Sequence, residues 1–401
     1  MTRYDVILLG GGLVGQTLAL ALASGGLRVA VVDPADPASV LAPTFDGRAS
    51  AVSSSSWRML QMIGVADRLG PGCAIAGIRV SEGLGGGGLD FQPAPEDEPL
   101  GHMFENRELR VALRAAVLEQ PLIELFMPAV PQHVERDTTE ATVTLADGRV
   151  LKAALLIGAE GRRSPTRDAA GIKIARWQYD HVAMIAGIEH EKSHGNTAYE
   201  IFYPAGPFAI LPMLPGTRSA IVWTVATKDA EGFLALSERA YTAELEKRMG
   251  GFLGAIKLIT PRSSYPLGFH HATTITGERL ALVGDAAHGI HPIAGQGLNL
   301  GFRDVAALAE VLVDGARLGL DLGDAQLLER YERWRSVDTL MVAASTDSLT
   351  RLFGMPGRSA SAIRRFGLSA VQRIPPLKRR FMAEARGESG ALPRLLQGMA
   401  V

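Results

Sequence analysis

Short apolar runs recur along the chain, and stretches with helical spacing of apolar positions follow several of them. The runs that predict strands buried on both faces lie at 4–9, 29–32, 155–159 and 280–283. An Ala/Leu-rich stretch to about Ser24 follows the first run, and Leu109, Leu113 and Val117 have the spacing of an amphipathic helix. Strands that alternate with helices predict an α/β fold built on a parallel sheet.

A different pattern covers residues 176–262, where apolar and polar positions alternate and aromatic residues are frequent. Alternation with a period of two predicts antiparallel strands. The segment 202–212 predicts strands at the floor of a ligand pocket, although an aromatic stripe in a sheet is more often core. A turn-rich segment at 75–100 predicts either an excursion into this second sheet or a surface hairpin.

Composition limits the class of protein. The 401-residue chain is 47% apolar and 21% charged, which is typical of a globular protein with room for two domains. Its net charge of −1 predicts no nucleic-acid partner. The single cysteine, Cys73, excludes an internal disulfide and a thiolate metal cluster, and we expect a buried, inert thiol and no metal site. No signal peptide or apolar run of about 18 residues is visible, so we expect a cytoplasmic protein that attaches to a membrane only peripherally, if at all.

The first strand leads into a glycine-rich turn, Gly10-Gly-Gly12-Leu-Val-Gly15, and the second strand ends at Asp33. This is the context that a dinucleotide fingerprint requires. Gly10 would permit the turn, Gly12 the approach of a pyrophosphate, and Gly15 the packing of the helix on the sheet. Asp33 would accept hydrogen bonds from an adenosine ribose.

The fingerprint alone does not separate FAD from NAD. A second glycine-containing turn, Gly284-Asp285, follows the strand at 280–283 and lies far along the chain from the first. Two ligand-facing turns so far apart favour a long, extended FAD. The stretch 279–304 continues with a loop that contains Pro292 and Gly295 and with a helix from about Gln296.

That stretch carries a family resemblance. The segment His291-Pro-Ile-Ala-Gly295-Gln-Gly297-Leu-Asn299-Leu-Gly301-Phe-Arg-Asp304 resembles the signature of the ubiquinone-biosynthesis hydroxylases of the UbiH and UbiF type. These are single-component flavin monooxygenases related to p-hydroxybenzoate hydroxylase. The resemblance covers nearly the whole chain, because pieces at 10–33, 158–167 and 284–304 occur in the family's order.

The resemblance implies a fold and a division into domains. The fold would be α/β, with a Rossmann-like FAD-binding domain, an inserted antiparallel-sheet substrate domain and a C-terminal helical tail. The FAD-binding domain would comprise residues 1–75, 101–175 and 262–340, the substrate domain 76–100 and 176–261, and the C-terminal helical region 341–401.

The resemblance also implies site residues. Those expected to bind the cofactor are Gly10, Gly12, Gly15, Asp33, Arg48, Arg107, Glu160, Gly161, Gly284, Asp285, Gly297, Leu298 and Asn299. The loop expected beside the flavin and oxygen contains Pro292, Gly295, Gln296 and Gly297. No acid–base residue is assigned, since His288 and His291 are candidates by location only. Glu160 stands where the family has Asp, and we expect this change to affect nicotinamide-nucleotide affinity or flavin coupling rather than FAD binding.

The implied reaction is aromatic-ring hydroxylation of a polyprenyl-phenol intermediate of ubiquinone biosynthesis. It would use NADH or NADPH and O2 through a flavin C4a-hydroperoxide. The alternatives are a flavin monooxygenase acting on another phenol, a non-hydroxylating flavoprotein such as a reductase, and a flavoprotein scaffold of a quinone-biosynthetic complex. A halogenase is disfavoured because the Trp-x-Trp-x-Ile-Pro pattern is absent.

The C-terminal part of the chain is basic. From Arg351 onward there are ten Lys or Arg residues and two acids, Glu384 and Glu388, with apolar residues between them. This pattern suits a helix that lies on an anionic membrane surface or in an assembly with other quinone-pathway enzymes. A helix packed on its own protein with a solvated basic face fits it equally well.

Overall fold

Three β-sheets and their covering helices make up the computed structural model, which describes residues 2–40, 45–85, 88–94, 96–289, 296–336 and 373–401. The strands are β1 (Thr2–Leu9), β2 (Val29–Val32), β3 (Ala49–Ser53), β4 (Cys73–Ala74), β5 (Gly77–Glu82), β6 (Gly88–Phe91), β7 (Gly101–Glu105), β8 (Ile123–Phe126), β9 (Pro131–Arg136), β10 (Ala141–Leu145), β11 (Val150–Gly158), β12 (Ile174–His190), β13 (Thr197–Tyr203), β14 (Gly206–Met213), β15 (Arg218–Ala226), β16 (Ile256–Leu258), β17 (Ser263–Ala272), β18 (Thr276–Gly277), β19 (Leu280–Leu282) and β20 (His288–Gly289).

The helices of the described residues are α1 (Leu13–Ser24), α2 (Pro37–Val40), α3 (Ser54–Met62), α4 (Asn106–Glu119), α5 (Pro165–Ala169), α6 (Thr227–Ala235), α7 (Glu238–Met249), α8 (Gln296–Arg317), α9 (described over 325–336) and α10 (Pro375–Ala385). Short 3-10 turns lie at Ala66–Arg68, Gly284–Ala286 and Arg394–Gln397. Most of the region predicted at 341–401 falls outside the described residues, which resume at residue 373.

The first sheet has a parallel centre in the order β19-β11-β1-β2-β8, with β18 antiparallel at one edge. Every residue of β2 and of β19 is buried, because α1, α4 and α8 supply apolar side chains to the same core. Burying one Val or Leu side chain contributes about 1.5–3 kcal/mol, so such continuous apolar runs favour the centre of a covered sheet. The predicted α/β class is confirmed.

The second sheet has nine strands in the order β20-β17-β12-β15-β14-β13-β5-β6, with β16 paired to β12. All pairs are antiparallel except β13 with β5. Helices α6 and α7 cover one face, where Ala230 of α6 and Tyr241 of α7 share a core with Trp223 of β15. The sheet includes β17, so it extends past the domain boundary predicted at residue 262 because β17 pairs along β12. The domain division itself stays a prediction.

The third sheet, β3-β7-β4, lies against the second face of the nine-stranded sheet. Met103 of β7 and Cys73 of β4 share a core with Ala198 and Ala220. Burial raises the pKa of the Cys73 thiol to about 11, and its sulfur lies 3.7 Å from Oδ1 of Asn196. The prediction that Cys73 is buried is confirmed, and the raised pKa of its thiol favours low reactivity.

The end of the chain packs onto α8. Arg303 of α8 donates hydrogen bonds to the carbonyl oxygens of Gly387 and Ser389, at 2.9 and 2.7 Å. Arg394 forms an ion pair with Asp314 at 2.6 Å. Arg303 of α8 and Arg394 near the end of the chain thus hold the residues after α10 against α8. In the described parts of the chain, no helix is both long and apolar enough to cross a membrane.

Asp304 of α8 is completely buried, and its carboxylate joins three segments. Oδ2 accepts a hydrogen bond from the amide of Gly284 at 2.8 Å and lies 2.7 Å from Nε2 of His288. Oδ1 accepts a hydrogen bond from Nε of Arg335 in α9 at 2.7 Å. Burial by itself would raise the pKa of Asp304, but His288 and Arg335 outweigh burial and hold the pKa of this carboxyl below its ordinary value of 3.8.

Replacing Asp304 with Asn is expected to lower the free energy of unfolding by about 3–5 kcal/mol at pH 7, because it leaves Arg335 buried without its counter-charge. A depressed pKa in the folded state gives stability that is present above pH 3.8 and is lost as the pH falls through the folded pKa. The difference between wild type and Asp304→Asn should therefore shrink on acidification. Urea unfolding at saturating FAD between pH 7 and pH 3 measures it.

The matched control for this experiment is Asp67→Asn, which changes an exposed carboxylate. It should stay within about 0.5 kcal/mol of wild type at every pH. A difference between wild type and Asp304→Asn that is constant with pH would contradict the assigned ionisation of Asp304.

Candidate flavin and substrate site

Close packing excludes side chains from two of the three fingerprint glycines. A Cβ on Gly10, whose φ is +109°, would lie 2.4 Å from the carbonyl oxygen of Ala159, and a Cβ on Gly15 would lie 1.9 Å from the carbonyl oxygen of Gly10. No described atom lies within 4 Å of a Cβ on Gly12, the N-cap of α1, which has no side-chain cap. Open space therefore faces the amides at the start of α1, as an anionic pyrophosphate requires.

Asp33 follows β2 and holds this turn together. Its Oδ2 accepts a hydrogen bond from the amide of Gly11 at 2.6 Å, and Oδ1 accepts one from the amide of Ala35 at 2.7 Å. The carboxylate is half-buried, so its remaining lone pairs can accept hydrogen bonds from a ligand. The predicted ribose contact stays a prediction, and the support that Asp33 gives to Gly11 is an additional role.

Parallel pairing brings the three predicted flavin pieces together. Leu9 at the end of β1 pairs with Gly158 of β11, and Gly158 pairs with Leu282 of β19. Each of these strands ends at the same edge of the sheet, where open α/β sheets bind ligands. The turns after residues 9, 158 and 282 are therefore neighbours, although they are far apart in sequence.

The carboxylate of Glu160 stabilises the second flavin piece, residues 158–167. Its oxygens accept hydrogen bonds from the hydroxyls of Ser164 and Thr166, at 2.5 and 2.7 Å, and from the amide of Thr166 at 3.3 Å. Glu160 thus satisfies donors at the start of α5, as helix-capping carboxylates do. Gly161 follows with φ of +80°, a conformation that favours glycine. The predicted cofactor roles of Glu160 and Gly161 stay predictions.

Two arginines connect the second piece to the third. Nε of Arg162 lies 3.2 Å from Oδ2 of Asp285, a half-exposed carboxylate. Arg167 is 2% exposed and donates hydrogen bonds at 3.2 Å to the carbonyl oxygens of Arg162 and Ala286. Arg167 was given no role in the sequence-based site, yet it fastens the Gly284–Ala286 turn to the second piece.

The first turn of α8 lies between the strand-end turn and β3. Asn299 is buried; its Oδ1 accepts a hydrogen bond from the amide of Ser53 at 3.0 Å, and its Nδ2 donates one to the carbonyl oxygen of Ala51 at 2.8 Å. The side chain of Asn299 thus bonds to the protein. Contact with a flavin would come from backbone amides, since the first amides of a helix have no partner within it.

Other predicted members of the loop have different positions. Gly297 and Leu298 are half-buried in the first turn of α8, and no described atom lies within 4 Å of a Cβ on Gly297. Pro292, Gly295 and His291 lie outside the described residues, as does the side chain of Gln296. His288 is buried against Asp304, which favours a structural role for it.

Basic side chains gather at the end of β7 and in the loop before β3. Arg48 is about half exposed and pairs with Asp46 at 2.5 Å. Nε of Arg107 in α4 is buried and has no hydrogen-bond partner among the described residues. A buried donor without an acceptor is rare in folded proteins, so Arg107 has the character of a group that a ligand satisfies. Neighbouring Asn106 instead accepts a hydrogen bond from Ser50 at 2.6 Å.

The glycine-rich turn after β1, the neighbouring strand-end turns and the start of α8 are arranged as in dinucleotide-binding α/β proteins. The comparisons with known proteins identify the ligand. A family model described as an FAD binding domain matches residues 3–343. The chain belongs to this family of FAD-dependent monooxygenases, in the branch that contains the ubiquinone-biosynthesis hydroxylases, and FAD is its cofactor.

Relatives cover nearly the whole chain. The ubiquinone hydroxylase UbiL of Rhodospirillum rubrum is 46% identical over 98% of this chain and 93% of its own length. The 3-demethoxyubiquinol 3-hydroxylase of Escherichia coli is 34% identical over 96% of this chain and 98% of its own length. The crystal structure of the p-nitrophenol 4-monooxygenase PnpA from Pseudomonas putida has a TM-score of 0.80 at 18% identity, over 98% of this chain and 100% of that chain, and shows the shared fold.

The residues present fit FAD. The open space at Gly12 admits a pyrophosphate, and the buried Nε of Arg107 lacks an acceptor that an anionic or carbonyl-bearing ligand can supply. Asp33 and Asp285 offer carboxylates to hydroxyl groups at the two ends of the site. The amides at the start of α8 are suited to an electron-rich ring edge.

Sequence reasoning assigned no ionisable side chain to the substrate side of the site. The structure places Glu200 of β13 on the face of the nine-stranded sheet that packs toward β3 and β7. The signal in the sequence is a lone acid between Ala198 and Phe202, at the spacing of the inward-facing positions of a strand.

The fingerprint glycines provide a test of the cofactor position. Gly12→Ala should leave the stability of the apoprotein unchanged, because its Cβ meets no described atom, but should weaken FAD binding by about 1–3 kcal/mol through overpacking. Gly15→Ala should destabilise the apoprotein itself, because its Cβ would collide with the backbone of Gly10. Thermal unfolding of the FAD-free protein and fluorescence titration with FAD separate the two effects.

Gly232→Ala is the matched control, since its Cβ also has no described neighbour within 4 Å and it lies on α6, away from this site. It should bind FAD as wild type does. Wild-type FAD affinity in Gly12→Ala would show that the pyrophosphate does not pass this turn.

Proposed function

We propose that this chain hydroxylates the aromatic ring of a polyprenyl-phenol intermediate of ubiquinone biosynthesis, using FAD, O2 and NADH or NADPH. The observation that carries the proposal is the 46% identity to a ubiquinone hydroxylase over almost the whole chain. A second relative named for the same pathway supports it at 34% identity. A small-molecule phenol and O2 are the substrates that these relatives imply.

The residues of the chain would bind and orient the cofactor. Gly12 and the start of α1 would take the pyrophosphate, Asp33 the adenosine ribose, and Asp285 hydroxyl groups between the two turns. Arg107 would donate to the cofactor through its unsatisfied Nε. When bound and reduced by NAD(P)H, the flavin supplies activated oxygen for electrophilic attack on an electron-rich ring, and the protein supplies position and dryness.

The second and third sheets would hold the phenol. Their facing sides contribute an apolar cluster that includes Met103, Leu211 and Met213, and water is excluded from such a cluster. The two hydrogen bonds of Asn299 with β3 connect this cluster to the start of α8, where the flavin ring is expected. A prenyl-bearing ring is therefore chemically suited to the space between the flavin side and the second sheet.

A complementation experiment tests the proposal. The gene should restore ubiquinone in a bacterium that lacks one of its ubiquinone hydroxylases, as measured by mass spectrometry of quinone-pathway lipids. The strain that is rescued identifies the ring carbon attacked. Gly15→Ala is the negative control, because its Cβ would collide with the backbone of the predicted cofactor-binding turn.

Failure to rescue any such strain by a yellow, FAD-containing protein would contradict the proposed substrate and leave the flavin assignment intact. Hydroxylation of another phenol, or NAD(P)H oxidation without a hydroxylated product for every phenol, would then distinguish the two alternative flavoprotein activities.

We also propose that α10 contacts an anionic membrane, where a polyprenyl substrate is found. Ile374 and Phe381 are 47% and 39% exposed, which is high for large apolar side chains. Arg373, Arg379 and Arg380 beside them are exposed as well. Basic and apolar side chains exposed together are typical of helices that lie in a membrane interface.

Replacing Arg373, Arg379 and Arg380 with Gln should weaken binding of the full chain to vesicles of mixed phosphatidylcholine and phosphatidylglycerol by about 3 kcal/mol, at about 1 kcal/mol for each charge. Co-sedimentation measures this change. The control, with Lys228, Arg239 and Lys247 replaced by Gln, removes the same charge from exposed positions of α6 and α7 and should bind as wild type does. Equal loss in both variants would indicate attraction by net charge alone.

A further inference from the structure

Helix α10 carries an apolar stripe. Ile374 at its N-cap, Leu377 and Phe381 recur at spacings of three and four residues, so they lie on one side of the helix. Ile374 and Phe381 are exposed, and Leu377 is half-buried. At about 1.5 Å per residue, the stripe is about 10 Å long.

Packing on the rest of the protein does not account for this stripe. Helix α10 has 11 residues, and none of them is buried. Helices shorter than about 12–15 residues are marginal in water unless an apolar face is covered by something else. We therefore expect a ligand to cover part of the stripe.

The inner end of the stripe meets the apolar cluster between the second and third sheets. The ring centroid of Phe381 lies 6.3 Å from that of Phe91 in β6, and the next side chain, Met382, packs against the cluster that contains Met103 and Met213. Phe91 is 8% exposed, whereas Phe381 is 39% exposed. The two rings therefore stand where the buried cluster reaches the surface.

Half-buried apolar side chains continue inward from this point. Ala51 of β3, Leu211 of β14 and Met382 all pack against the cluster, and each keeps part of its surface accessible. Contact between apolar surface and water is unfavourable, so these side chains gain from an apolar ligand that covers them. They belong to the same cluster that the proposed function assigns to the phenol.

Direct contacts connect this surface to the start of α8. The carbonyl oxygen of Ala51 accepts a hydrogen bond from Nδ2 of Asn299 at 2.8 Å. One small cavity is lined by Asn299 and also by Glu384 of α10. Helix α10 and the start of α8 therefore lie on two sides of the same cavity.

The residues after α10 fix the position of the helix. Arg386 donates hydrogen bonds to the carboxylate of Asp97 at 3.1 Å and to the carbonyl oxygen of Glu98 at 3.0 Å, and its own carbonyl oxygen accepts one from the amide of Ser55 at 3.1 Å. A Cβ on Gly387 would collide with Oγ of Ser55. The C-terminal end of α10 is thus held beside the cluster, and the stripe leads away from it toward the N-terminal end of the helix.

We propose that the prenyl chain of the substrate lies along the stripe of α10 and enters the protein beside Phe91 and Phe381. Leu377 and Phe381 then determine the preference for a long chain, while the ring lies in the cluster nearer α8. A protein partner fits less well, because a stable interface uses about 20–30 residues from each side and the stripe has three. This inference rests on the proposed hydroxylation of a prenylated phenol and names where the chain of that substrate binds.

Binding without lipid tests this path. The probes are 2-farnesylphenol and 2-methylphenol, each titrated into the FAD-loaded full chain with flavin fluorescence as the readout. Wild type should bind the farnesyl compound at least about 100-fold more tightly, because each buried CH2 group adds to the affinity. Phe381→Asp should lower this ratio of affinities about tenfold, because its carboxylate would lose water beside the chain.

The matched control is Leu118→Asp, which introduces the same charge at an apolar position of α4 that is 64% exposed. Its ratio of affinities should equal that of wild type, and Phe381→Leu, which keeps an apolar side chain, should recover most of the ratio. An unchanged ratio in Phe381→Asp, or an equal decrease in Leu118→Asp, would overturn the proposal. Because lipid is absent, contact of α10 with a membrane cannot produce the expected decrease.

Photolabelling tests the same path in the unaltered chain. The probe is 2-farnesylphenol with a diazirine at the far end of its chain, irradiated with FAD-loaded wild type and located by mass spectrometry of peptides. The label should lie within residues 374–382, and excess 2-farnesylphenol should prevent labelling. Label confined to other segments would overturn the path, as would equal affinity of wild type for the two phenols. Failure of wild type to bind either phenol would instead overturn the proposed function.

Discussion

The buried carboxylate of Asp304 is the contact on which the arrangement of the flavin-side elements depends. A charge without access to water is tolerated only while its partners are in place, and those partners come from the turn after β19, the segment that follows it, and α9. The carboxylate therefore sets the direction of α8 relative to the parallel sheet. Asn299, one turn earlier on α8, then reaches both Ala51 and Ser53 of β3. Through these two side chains the first sheet and the third are held in one geometry.

Local signals made the first flavin piece predictable. The roles predicted for Gly10 and Gly15 follow from a tight strand–helix turn. In the structure, a Cβ at either position would collide with backbone atoms. The α/β class followed from the apolar runs, since only a sheet covered on both faces buries them.

Side-chain partners contributed from distant parts of the chain were not predictable. Glu160 and Asn299 were both assigned to the cofactor, yet the side chain of each bonds to the protein, Glu160 to the start of α5 and Asn299 to β3. The sequence does not show whether the side chain of a carboxylate or an amide bonds to a ligand or to another part of the protein. The extension of the second sheet past residue 262 was not visible in the sequence either, because the pairing of β17 with β12 is a long-range contact.

The burial of Cys73 has a practical consequence for spectroscopy. With its pKa raised to about 11, only about one thiol in ten thousand is a thiolate at pH 7, and the sulfur is enclosed by the core between the second and third sheets. Thiol-directed labels should therefore not react with the native chain. A cysteine introduced at an exposed position of α10 would carry a spin label or a fluorophore alone, so distances from the end of the chain to the isoalloxazine could be followed without deleting any native residue.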